Sequence, residues 1–401
     1  MPTPPPFDKP VTPIEKFYIA IDRLFGPFVN QLVIHGEGDV AAEQLRDASR
    51  RAAEANPGVT LRHERRLARM RWVPGPAPRF STHHAPDWRA RSGAGAPFLD
   101  APLDPEQGPS CELQRITTDE GPCLVFRSLH ATMDGGGTRH WAEEVLRALR
   151  GEPLLGSDNY ETDKDFAAGL NKEPFRLPKE DAVSPLGPWD ESAPPTRRWQ
   201  RITIDTPRTD NVLARIALVL AANAHRHNTV GAKDHVRINI PADLRFFRPD
   251  VRSTGNLIGA VFEELTPDEE IAVVAERVKQ RLRAKEHARF PFLYDVLRWV
   301  PLRRMCGVLR DGAQRVHRRN LAQFSATVSY LGTFPTEPFS TPTFDARTAF
   351  FIPPVAQQGC FVTGTHMRGK LELLVAMQER LASRGRGDEL TAALREALTA
   401  D

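Results

Sequence analysis

Between Gly151 and Pro195 the chain carries repeated proline, glycine, aspartate and lysine with no sustained apolar period, which reads as a long connection. A mixed set of helix and strand signals lies on each side of it. This arrangement predicts two layered units joined by an inter-domain crossover. The length agrees, because 401 residues exceed what one hydrophobic core usually holds. The expected division is an N-terminal unit over 1–165, a linker over 166–200 and a C-terminal unit over 201–401.

In the first unit, Thr12-Pro-Ile-Glu15 has capping-box spacing with proline at the first helical position, so a helix through Phe17, Ile21 and Leu24 should follow. Phe28 to Ile34 reads as a strand. Asp39 is placed to cap a helix running to Ala55, which Asn56-Pro57-Gly58 stops. Gly36-Glu37-Gly38 reads as a turn before that helix, not a dinucleotide fingerprint. Arg69 to Val73 reads as a short strand, and 74–109 as loop with short strands. In the second unit, 201–205, 257–262, 349–352, 360–365 and 370–376 read as strands. Val236, Ile238 and Ile240 alternate up to Pro241, and Phe324 to Tyr330 alternates again. Helices are expected over 209–226, 268–287 and 388–398. Neither half has a regular strand–helix–strand repeat, which favours an α+β layered architecture used twice.

Composition narrows the partners. A net charge of +3 is small for this length and does not imply nucleic acid. The four cysteines (Cys111, Cys123, Cys306 and Cys360) form neither a CxxC pair nor a zinc spacing, so free thiols are expected. His83-His84 and His225-x-His227 lack supporting ligands, so no metal is expected. Met1 to Pro6 has no leader pattern and no apolar run reaches spanning length, so a cytoplasmic, monomeric protein is expected.

The chemistry concentrates in His130-Ala-Thr-Met-Asp-Gly-Gly-Gly137, between the apolar run Cys123–Leu129 and a helical pattern over 138–149. An imidazole at a strand end can act as a general base near neutral pH. Asp134 can fix the loop, and the glycines allow a sharp turn or the close approach of a ligand.

His-x-x-x-Asp-Gly after a strand resembles the active-site motif of the chloramphenicol acetyltransferase-like superfamily. That group includes nonribosomal peptide synthetase condensation domains, polyketide-associated acyltransferases, wax-ester synthases and the plant BAHD acyltransferases. Three further stretches fall in the family's order. Asn56-Pro-Gly-Val-Thr-Leu-Arg62 looks like the segment after the first long helix. Arg237 to Arg245, followed by Gly255-Asn256, is similar to a "Val-x-Arg … Gly-Asn" segment. Val328-Ser-Tyr-Leu-Gly332 resembles a "Ser-Asn-x-Gly" strand. Two departures stand beside these matches. Leu129 occupies the position of a first histidine that many members carry, and the Asp-Phe-Gly-Trp-Gly segment of the BAHD branch is absent.

The resemblance implies two αβ-sandwich subdomains in a V with a central substrate channel. It implies acyl transfer from a coenzyme A or phosphopantetheine thioester, on acyl-CoA or an acyl or peptidyl carrier protein, to a hydroxyl or amine of a small-molecule acceptor. No resident cofactor is implied. His130 would be the general base. Asp134 would pair with Arg62 or Arg245 and hold the loop. Gly135 and its neighbours would serve the turn, or donate N–H groups to an oxyanion. Asn256 is either a channel residue or a simple turn. Ser329 is either an oxyanion partner or an outward strand serine. The basic segment Arg298–Arg319, with Arg303 and Arg304 at its centre, is either a solvated helix face or a docking patch for donor phosphates or an acidic carrier protein. The apolar residues among these arginines allow at most weak membrane-surface contact. Rival functions are cyclisation, dehydration or epimerisation of a carrier-bound intermediate, or a silent acyl- or carrier-binding partner.

Overall fold

The computed structural model describes residues 7–66, 69–157, 161–228, 235–292, 294–355 and 359–399. The segment Met1–Pro6, read above for a leader, lies outside them. In chain order the principal elements begin with α1 (Pro13–Phe25), β1 (Val29–Gly38), α2 (Ala42–Ala55), β2 (Arg79–His84), β3 (Cys111–Thr118), β4 (Gly121–Leu129) and α3 (Gly135–Leu149). After the connection come β5 (Arg197–Asp205), α4 (Val212–His227), β6 (Val236–Asp243), β7 (Ile258–Leu265), α5 (Ile271–Arg283) and α6 (Leu302–Arg319). The chain then runs through β8 (Ala326–Thr333), β9 (Phe344–Ile352), β10 (Cys360–Met367), β11 (Lys370–Gln378) and α7 (Arg386–Thr399).

Two sheets organise the molecule. The first has the order β9-β1-β4-β3-β2, antiparallel except for the parallel pair β2 and β3. Helices α2 and α3 cover one face, burying Leu45, Trp141, Val145 and Leu146 against Leu32, Ile34, Leu124 and Phe126. The second has the order β7-β6-β8-β10-β11-β5. Its inner residues Ile238, Val328, Val362, Leu373 and Val375 pack against Ile216 and Leu220 of α4, Val274 of α5 and Leu390 of α7. Each sheet therefore hides one face under helices, and the buried apolar side chains supply the main driving force.

The linear division at residue 201 misses a crossover. Strand β9, far into the C-terminal half, pairs antiparallel with β1, from Phe344↔Gly38 to Ile352↔Gln31. Phe334, Phe339 and Phe344 join the N-terminal core. A run of alternating apolar residues specifies a strand but not which sheet receives it, so local pattern could not place β9. Strand β5 also begins at Arg197, inside the segment read as linker.

Asp39 does not cap α2, whose N-cap position is Ala41; its carboxylate is held by Arg115 instead. Other local features also differ from the sequence reading. Gly36 and Gly38 lie in the end of β1, not in a turn. A Cβ on Gly36 would stand 2.7 Å from the Phe344 ring, so glycine lets β9 approach. Pro241 does not end its strand, because β6 pairs with β7 through Asp243. On its other side β6 meets β8 only at Ile238 and Asn239, so the missing N–H costs no ladder bond there. Helix α1 has the expected Thr12/Glu15 capping box and runs through Phe17, Ile21 and Leu24 as expected; of these three only Ile21 is buried, and the buried face also carries Glu15, Lys16, Ile19 and Ala20. That face accommodates charge because Glu15 receives the Lys9 ammonium at 3.1 Å and the Trp72 indole N–H at 2.8 Å. No helix among the described residues is long and apolar enough to cross a membrane.

Candidate active site

His130 follows the last residue of β4, and its loop is held on all sides by backbone bonds. Its own N–H donates to the Phe28 carbonyl at 3.0 Å. The N–H groups of Thr132 and Met133 both donate to the Leu129 carbonyl, closing a tight turn. Asn30 Nδ2 donates to the Met133 carbonyl at 2.9 Å. The imidazole packs in a three-ring cluster with Tyr18 from α1, stacked with centroids 4.3 Å apart, and Phe28 at 5.3 Å, the two aromatic rings also touching each other at 5.3 Å. Nδ1 is buried without a hydrogen-bond partner. Burial lowers the pKa of the ring below its ordinary 6.5, and the nearby Asp134 carboxylate opposes that shift. A neutral imidazole at physiological pH is the result. Burial also holds the Tyr18 phenol well above its usual range, with the charges of Asp134 and Asp163 adding to the effect, so Tyr18 stays protonated beside it.

Asp134 is fully buried and caps α3. Oδ1 accepts the Gly137 N–H at 2.7 Å, while Oδ2 accepts the Leu257 N–H at 2.7 Å and Arg245 Nη1 at 3.1 Å. Two of these three donors come from the C-terminal half, so the carboxylate ties the His130 loop to the second sheet. Arg245 spreads its other donors over the Ser253 and Gly255 carbonyls and Asp243 Oδ1. Of the two arginines left open by the sequence, Arg62 is elsewhere: it pairs with Glu64 at 2.6 Å.

Asn256 comes to the same loop from across the divide. Its Nδ2 donates to the carbonyls of His130 at 2.9 Å and Ala131 at 3.0 Å, and its Oδ1 is buried without a partner. Asn256 thus grips the backbone that carries the imidazole, and it is not a plain turn residue. Gly135, Gly136 and Gly137 form the first turn of α3 without positive φ, so the expected sharp-turn role does not apply to them. Two are needed for close approach instead. A Cβ on Gly137 would lie 2.3 Å from the Thr254 carbonyl oxygen, and one on Gly136 would lie 2.9 Å from Arg245 Nη1. Gly135 has ordinary space, 3.8 Å from Phe351 and 3.9 Å from Leu331.

Ser329 lies on β8, in register with Thr363 of β10, half-buried and on the strand face opposite core residue Val328. Leu331, two residues along that same face, is the one that approaches Gly135. Arg303 and Arg304 stand exposed on α6. Sequence reasoning missed Tyr18, Phe28, Asp243 and Thr254. Asp243 was the most accessible of these, standing two residues before Arg245 in a segment already singled out. Nothing in the local pattern marked Tyr18, whose partner is more than a hundred residues away.

Two helix-covered sheets, a loop of one clasped by residues from the other, make up the fold seen in condensation domains. No family model and no curated protein matches the chain. Among solved structures it is similar to the starter condensation domain of rhizomide synthetase, in a variant complexed with C8-CoA and Leu-SNAC (TM-score 0.65, 16% identity, 98% of this chain and 95% of that one). It is similar to polyketide synthase associated protein 5 from Mycobacterium tuberculosis (TM-score 0.64, 15% identity, 98% of each chain). The epimerization domain from the third module of tyrocidine synthetase B also matches (TM-score 0.60, 14% identity, 98% and 96%).

Proposed function

We propose that the protein is an acyltransferase that moves an acyl group from a thioester to a hydroxyl or amine, with His130 as general base. One observation carries this reading: a neutral, aromatic-flanked imidazole on a loop that the opposite half of the molecule holds by Arg245, Leu257 and Asn256. The acceptor X–H hydrogen-bonds to the imidazole at Nε2, the nitrogen left for this task when Nδ1 is buried. The imidazole takes the proton as X attacks the thioester carbonyl. The C–X bond forms, the C–S bond breaks, and the imidazolium returns its proton to the departing thiolate. Such base assistance contributes about 10²–10⁴-fold, and holding donor and acceptor together contributes more. Asp134 steadies the loop and favours the transient imidazolium by its charge.

The donor class rests on likeness. A related fold binds C8-CoA, which supports coenzyme A or the chemically equivalent phosphopantetheine arm of a carrier protein as the acyl carrier. The epimerization-domain likeness supports a second reading, proton abstraction from a carrier-bound intermediate. Product mass decides between them. Incubation with acyl-CoA or acyl-carrier protein and candidate alcohols and amines should yield acceptor heavier by one acyl group, and His130→Ala should abolish it. An unchanged mass with inverted stereochemistry would establish the second reading instead.

A further inference from the structure

Nine large apolar side chains stand exposed among the described residues, and five of them fall between Phe292 and Val308. They are Phe292 (90% exposed), Val308 (67%), Val296 (56%), Trp299 (45%) and Leu297 (39%). Scattered single exposures need no explanation, but a concentration of this kind marks a contact surface. The segment is anchored from beneath. Lys16 Nζ donates to the carbonyls of Arg298 and Val300, the Tyr294 hydroxyl donates to buried Asp163, and Leu302 packs into the cluster that holds Tyr18. These side chains are therefore presented on a fixed platform.

The charge around them is mainly positive: Asp295 is paired with Lys164, and Arg315 and His317 meet Glu180 and Glu191, but most of the arginines are left over. Arg298, Arg303, Arg304, Arg310, Arg318 and Arg319 have no carboxylate partner among the described residues, and Asp311 is the one acid of α6. Arg69, from the N-terminal half, sits over the Trp299 ring at 4.4 Å and adds a further cation. Helix α6 has 18 residues, a strip of about 27 Å. Unpaired guanidinium groups bind phosphate oxygens in bidentate fashion.

We propose that Phe292–Arg319 is a membrane-docking face that binds an anionic lipid bilayer. The arginines contact lipid phosphates, and Phe292, Trp299 and Val308 enter the headgroup region. The shape selects a bilayer over a protein partner. Phe292 protrudes with nine-tenths of its surface free, and a fluid bilayer accepts a protruding apolar side chain without a matching pocket. Helix α6 packs on α1, which carries the Tyr18 ring against His130, so the docked face is one helix layer from the imidazole. The proposal does not depend on which reaction His130 performs.

Flotation of the whole protein with phosphatidylcholine vesicles, with and without phosphatidylglycerol, tests it. The expected result is at least ~10-fold tighter binding to the anionic vesicles, weakened by high salt. Phe292→Ser with Trp299→Ser, and separately Arg303→Glu with Arg304→Glu, should each weaken binding ~10-fold or more while Tm stays unchanged. Failure of the wild type to float with anionic vesicles overturns the proposal. So does equal binding to neutral vesicles. Capture of an acyl carrier protein that is lost in Arg303→Glu/Arg304→Glu, without vesicle binding, would make this face a carrier dock and would equally overturn it.

Discussion

Asp134 Oδ2 and Arg245 Nη1 meet at 3.1 Å across the two halves of the molecule, the carboxylate fully buried and the guanidinium nearly so. A buried pair gains little over an apolar substitute, but breaking one from one side costs about 3–5 kcal/mol. Asp134→Ala should lose that much in urea unfolding and lose turnover with it. Arg245→Met should do the same. The double variant should be less unstable than the sum of the singles by about 0.5–3 kcal/mol. Arg62→Met should change stability by under ~0.5 kcal/mol, since Arg62 has no part in the pair.

The three glycines at the start of α3 should separate by substitution. Gly137→Ala places a methyl 2.3 Å from the Thr254 carbonyl oxygen, and backbone cannot move aside cheaply. It should cost about 1–3 kcal/mol or more and displace the clasping loop. Gly135→Ala meets nothing closer than 3.8 Å and stands at the first position of the helix, so it should change stability by under ~0.5 kcal/mol. Thermal unfolding of the two variants checks the order.

The acid limb of activity should lie low. Burial lowers the His130 pKa below 6.5, so the imidazole keeps its basic form throughout neutral pH. The profile of kcat/KM should be flat above pH 6.5 on this account and fall only below it. An inflection above 7 assigned to His130 by its loss in His130→Gln would contradict the assignment. Stability follows the same sign. The folded state resists protonating His130, as it does His63, His140 and His287, so this contribution is full above 6.5 and is lost as pH falls below it.

Asp163 should act in the opposite sense. Burial raises its carboxyl to about 7, with Glu15 adding to the rise and the Tyr294 hydroxyl and Lys9 opposing it. The fold therefore holds a proton that the unfolded chain releases near 3.8, and stability from this group falls as pH rises from there through about 7. Asp163→Asn keeps an acceptor for Tyr294 and removes the titration. Its urea midpoint should gain on wild type between pH 5.5 and pH 8; an equal difference at both values would exclude the effect.

The sequence by itself determined the elements and the chemical centre. The period of the apolar residues marked most helices and strands, because burial on one face is written locally. The strand, histidine, aspartate and glycine order of 123–137 marked the loop, because a base at a strand end before a capped helix is also a local arrangement. Only the tertiary structure decided who meets that loop. It chose Arg245 over Arg62, set Tyr18 and Phe28 against the imidazole, turned Asn256 onto the loop backbone, and sent β9 into the N-terminal sheet. Each of these contacts joins residues that no helical or strand period relates. They follow from how the two sheets pack, and packing is a property of the whole chain.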